Sequence, residues 1–82
     1  MKAGLDALYT RQDPTAAAAE FRKILERNPD HYGATYQLAT SLDRAGKRAE
    51  ARALWEKVLT LAEGYKDEAT LLRARERLAV NP

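Results

Sequence analysis

The sequence predicts an all-α fold, an antiparallel array of helix pairs made of two repeats and a C-terminal capping helix. Three observations predict it. Helix-forming residues run throughout, interrupted at Asp13-Pro14, Asn28-Pro29-Asp30, Gly46 and Gly64, so the chain falls into five segments. Within those segments apolar residues recur at steps of three and four, the spacing that gathers them into one stripe on a helix. Sliding the chain by 34 residues then lays Leu8 on Leu42, Ala17 on Ala51, Ala19 on Ala53, Phe21 on Trp55, Lys23 on Lys57, Ile24 on Val58 and Leu25 on Leu59.

The first segment, Lys2 to Thr10, turns Leu5 and Leu8 inward and is short enough to fray. From Pro14 to Asn28 the stripe is Ala17, Phe21, Ile24 and Leu25, with Asp13 as N-cap and Pro14 at the first helical position. Pro29 stops this helix, because the residue before a proline is pushed out of the α region, and Asp30 is placed to cap the next. The third segment, His31 to Ala45, puts Leu38, Ala39 and Leu42 on one face and closes at Gly46, which accepts a left-handed conformation. Lys47 to Glu63 has the strongest stripe, Ala51, Leu54, Trp55, Val58, Leu59 and Ala62, and Gly64 ends it. The last segment, about Asp67 to Val80, collects Leu71, Leu72, Leu78 and Ala79 on one side.

With 82 residues the chain has material for one domain, with repeat one at about 1–31, repeat two at about 32–65 and the capping helix at about 67–80. A core of this size yields roughly 3–5 kcal/mol of stability without a covalent staple, and the chain has no cysteine. That composition points to a reducing compartment. The opening residues soon run into charge and no apolar run reaches membrane length, so a soluble, cytoplasmic protein with no membrane partner is expected. Fourteen basic and twelve acidic side chains are scattered along the whole length, a net charge of +2, which describes a solvated surface rather than a nucleic-acid footprint.

The residues that could do chemistry read more simply as structure. His31 is the single histidine, and without cysteine or a second histidine it completes no metal set. No nucleophile with a base, and no pair of carboxylates in contrasting settings, is legible, so neither an enzyme nor a cofactor is expected. Phe21 and Trp55 occupy equivalent interior positions and read as core. The basic turn Arg44, Lys47 and Arg48 around Gly46 could hold a phosphate, although such turns are commonly just polar. Arg73 and Arg77 share a helix face while Arg75 lies nearly opposite, so no continuous basic stripe forms.

A small residue early in a second helix, an aromatic four residues later and a proline after it form a pattern that resembles the tetratricopeptide repeat. The residues are Ala17, Phe21, Ile24 and Pro29 in the first repeat, then Leu38-Ala39, Leu42, Gly46, Ala51, Trp55 and Val58 in the second. The likeness covers roughly Met1 to Gly64. It departs at Gly4-Leu5, where a large-then-small pair is usual, at Glu63, which replaces the second proline, and in the last helix, which is out of the 34-residue frame.

The resemblance implies that the first helices of the repeats line a concave groove holding a peptide or partner helix of another protein. By position its residues are Lys2, Asp6 and Tyr9 from the first repeat, with Tyr36, Gln37, Thr40 and Asp43 from the second. Tyr9 and Tyr36 suit an interface, since tyrosine offers large contact area and a polar tip; the alternative for Tyr36 is a flank residue half buried against Tyr32. Some members clamp a C-terminal carboxylate with lysine and asparagine, but only Lys2 matches, because Asp6, Tyr36 and Thr40 stand where other groups are needed. A structural role is the other expectation: poorly covered Leu5 and Leu8 would give weak homo-oligomers or a docking edge within a larger chain or complex.

Overall fold

Asp13-Pro14, Asn28-Pro29-Asp30 and Gly46 interrupt the helices in space as they interrupt the pattern in sequence. The computed structural model describes residues 1–80. Helix α1 (Lys2–Leu5) runs on into a wider π-helical turn (Asp6–Thr10), followed by α2 (Pro14–Arg27), α3 (Tyr32–Arg44), α4 (Arg48–Tyr65) and α5 (Glu68–Val80). Each helix packs on its sequence neighbours, α1 on α2, α2 on α3, α3 on α4 and α4 on α5. Turns of two to four residues separate them, so successive helices form antiparallel hairpins, the all-α helical array expected.

Packing explains the residue choices. Phe21 and Trp55 are 0% and 1% exposed, and between the helices around them lie fully buried alanines, among them Ala17, Ala39, Ala51 and Ala74. Alanine at a crossing lets two backbones come close, and the large aromatic fills the space beside it. Gly4 carries this furthest. A Cβ at that position would sit 2.6 Å from Phe21 Cε1, so the missing side chain is what lets the first helix lie against the aromatic ring.

Several boundaries differ from expectation, each for a local reason. Asp13 caps α2, its Oδ1 accepting from Ala16 N at 3.1 Å. The cap of α3, however, is His31 rather than Asp30: His31 Nδ1 accepts from Ala34 N at 3.0 Å. A ring nitrogen here does the work of a capping oxygen. Gly46 is left-handed at φ 78°, and Lys47 N bonds back to Leu42 O at 2.9 Å. Gly64 does not end α4. The helix runs to Tyr65 and closes on Lys66 at φ 57°, with Asp67 N reaching Ala62 O at 2.9 Å.

The first helix ends differently. Arg11 N bonds to Asp6 O, five residues back, and Asp13 N to Ala7 O, six back, while Gln12 turns left-handed at φ 52°. This widened turn replaces the plain fraying helix, and it leaves Leu8 only 1% exposed and Leu5 partly covered. The apolar edge expected at Leu5 and Leu8 is therefore closed over Leu8.

In α5 the inward stripe is not Leu71, Leu72, Leu78 and Ala79. Ala74 is fully buried, Leu78 packs against the core, Leu72 is 63% exposed and Ala79 also faces out. Positions 71 and 78 are two turns apart and share a face, whereas 72 and 79 are rotated away from it. The frame shift has a visible origin: Asp67 Oδ1 accepts from Thr70 N at 3.2 Å before α5, as His31 does before α3, at a separation of 36 rather than 34 residues.

Candidate functional site

The even helices α2 and α4 supply Phe21 and Trp55 to the core, while side chains of the first helix and of α5 each reach α3 elsewhere. Three contacts define that shared face. Tyr9 Oη donates to Gln37 Oε1 at 3.0 Å, joining the π-helical turn to α3. The Arg44 guanidinium lies 5.0 Å over the Tyr9 ring, a cation on the electron-rich face of an aromatic. Arg77 Nε donates to Asp43 Oδ2 at 2.9 Å, joining α5 to α3.

The seven residues expected to line a groove divide into three groups. Lys2, Asp6 and Tyr9 line one shallow depression together with Leu5 and Thr10, and Asp6 pairs with Arg11 Nε at 3.5 Å. Gln37 meets Tyr9, and Thr40, whose hydroxyl donates to Tyr36 O at 3.1 Å, lines a second depression with Asp43. Tyr36 belongs to neither. It packs edge-on against Trp55 at 5.5 Å and 89°, while Tyr32 stacks on Tyr65 at 4.9 Å.

Asp43 corrects the expectation of an exposed acid. Its side chain is 9% exposed, and Oδ2 accepts Trp55 Nε1 at 2.6 Å as well as Arg77. The hydrogen bond to Asp43 raises the Arg77 guanidinium above its already high ordinary value, so Arg77 stays charged.

Three basic residues join this face without having been expected there. Thr40, Asp43, Arg44, Arg73 and Arg77 line a depression of about 200 Å³ between α3 and α5. Leu8, Tyr9, Gln12, Pro14 and Arg44 line an adjoining one of about 300 Å³. Arg44 stands between the two. The spacing of Arg73 and Arg77 contained the signal, because residues four apart share a helix face; which neighbour that face meets depends on how α5 packs.

Among the described residues no group of three or more histidine, cysteine or acidic side chains could hold a metal ion, and no helix is long and apolar enough to cross a membrane.

Comparison with known proteins agrees with the geometry. A family model described as tetratricopeptide repeat matches residues 8–76. Repeats of that family in general mediate protein–protein interaction and are not catalytic. Over 75 residues, 92% of the chain, it is 33% identical to cellulose synthase operon protein C of Xanthomonas axonopodis pv. citri (strain 306), and it spans 5% of that relative's length. No solved structure matches the chain. Five short-turned helices, buried aromatics at the equivalent positions Phe21 and Trp55, and a family match across residues 8–76 place this chain in the tetratricopeptide repeat family.

Proposed function

We propose that the chain is a protein-interaction module that holds a peptide or partner helix against the face shared by the first helix, α3 and α5. The observation that carries this reading is Tyr9. It is 49% exposed, yet its hydroxyl is fixed on Gln37 and its ring under Arg44, so it offers a large, pre-ordered contact surface. Ordering an interface side chain before binding removes part of the entropic cost of association. In this reading residues 1–82 work as one cytoplasmic, non-enzymatic domain, and Lys2, Asp6, Tyr9, Gln37 and Thr40 touch the partner. Tyr36 and Asp43 serve the face from beneath.

The test is selection of peptides from a displayed library on the immobilised chain, followed by titration into isotope-labelled protein. Shifts should gather at Lys2, Tyr9, Gln37 and Thr40, and the pair Tyr9→Ala with Gln37→Ala should weaken binding about tenfold or more while leaving the melt in place. Shifts confined to α2 and α4, or no selection above background, would remove the proposal.

A second reading, a structural piece docked within a larger chain or complex, draws on two observations. The chain spans 5% of its relative's length, and α5 presents Leu72 and Val80 at 63% and 50% exposure. Leu72→Gln would then weaken docking to an adjoining segment and leave peptide binding unchanged.

A further inference from the structure

We propose that the depression between α3 and α5 binds the carboxylate side chain of an acidic segment in the partner protein, with an apolar neighbour of that residue seated against Tyr9 and Pro14. This rests on the interaction-module reading and specifies the partner's chemistry. Three guanidinium groups, Arg44, Arg73 and Arg77, face one carboxylate, Asp43, across about 200 Å³, so the depression has excess positive charge. Glu76 acts on Arg77 more weakly than Asp43 does. Asp43 is already committed to Trp55 and Arg77, which fixes Arg77 in place rather than leaving it to swing into solvent. Arg73 has no ion-pair or hydrogen-bond partner among the described residues. Arginine presents donors in a rigid fork that matches a carboxylate, and the Thr40 hydroxyl stands at the same rim.

The second half of the proposal comes from Arg44, which also borders the depression of about 300 Å³ lined by Leu8, Tyr9, Gln12 and Pro14. A segment lying across Arg44 meets cations on one side and, on the other, the Tyr9 ring and Pro14 beside Gln12. Protein rather than nucleic acid suits this pairing, because Arg44 already covers one face of the Tyr9 ring, which leaves little platform for base stacking.

The probes are an end-capped peptide of alternating glutamate pairs and leucines, its glutamine counterpart, and an oligothymidylate strand, each titrated calorimetrically at low salt. The glutamate peptide should bind, the glutamine peptide should bind about tenfold more weakly, and Arg73→Gln or Arg44→Gln should weaken the glutamate peptide by about tenfold with an unchanged melt. Arg73→Glu should reverse the preference toward a lysine peptide. Equal binding of the glutamate and glutamine peptides, indifference to Arg73→Gln, or tighter binding of oligothymidylate would overturn the proposal. If library-selected peptides shift the shared face and the glutamate peptide does not bind, the carboxylate assignment falls and the interaction reading stands; if neither binds, both fall.

Discussion

Arg77 and Asp43 are joined by a 2.9 Å bond from Nε to Oδ2, and the oxygen that accepts it also accepts the Trp55 indole at 2.6 Å. Helices α3, α4 and α5 thus meet at one carboxylate oxygen. Trp55 is 1% exposed, so removing the acceptor strands a buried donor. Asp43→Ala should cost about 1–3 kcal/mol for that donor alone, a large share of the roughly 3–5 kcal/mol expected of a core this size. Asp43→Lys should unfold the chain, because an ammonium then faces Arg77. Urea midpoints measure both, and an Asp43→Ala change within about 0.5 kcal/mol of the parent would place it among ordinary surface substitutions.

Gly4→Ala tests the contact with Phe21. Alanine is the better helix former by about 1 kcal/mol, so helix propensity alone predicts stabilisation. The Cβ, however, would meet a fully buried ring at 2.6 Å, and overpacking of this kind costs about 1–3 kcal/mol. The net change should be destabilising. A higher midpoint for Gly4→Ala would show that the first helix can move off the ring.

Lys66→Gly should act in the opposite direction. Lys66 closes α4 at φ 57°, a conformation that costs a side-chain-bearing residue on the order of 1–2 kcal/mol, while glycine at the same place gives back about 0.4–1 kcal/mol through a freer unfolded chain. A gain of about 0.5–1 kcal/mol should appear as a raised melting temperature. Gly46→Ala, at φ 78°, should lower it.

The hydrogen bonds around Asp67 set how stability follows pH. Thr70, and then the Tyr32 hydroxyl at 2.8 Å, hold the Asp67 carboxyl below the usual carboxylate range. A folded value below the unfolded one means that this contribution is fully present above about pH 3.9 and is lost as pH falls through the folded value. Burial raises the Tyr32 hydroxyl, so its contribution is present below about pH 10 and lost as pH rises through the folded value. Melting temperature against pH should therefore flatten on the acid side in Asp67→Asn and on the alkaline side in Tyr32→Phe. Curves parallel to the parent would show that neither bond persists in solution.

The fold was legible wherever one helix turn reports on itself. Ala17, Phe21, Leu38, Leu42, Ala51, Trp55 and Val58 sit at helical spacing and are buried or nearly so. What escaped was what depends on a neighbouring helix. His31 as a cap needs a ring nitrogen aimed at Ala34 N, the π-helical turn arises without any proline or glycine inside it, and the inward phase of α5 follows from where α4 stops. The site divides in the same way. The repeat positions of Tyr9 and Gln37 put them near each other, and they are hydrogen-bonded, whereas the burial of Asp43 depends on Trp55 and Arg77 converging on it from other helices, and the place of Arg73 depends on how α5 packs.

The bond from Trp55 to Asp43 has an optical consequence. Trp55 is the single tryptophan of the chain, and its indole N–H ends on a carboxylate that also lines the depression between α3 and α5. Indole emission responds to the hydrogen bond at its nitrogen and to charge brought near the ring. An anion arriving beside Arg77 would alter both through Asp43, so the chain contains a native fluorophore wired to that edge of its surface, readable without a dye or a tag.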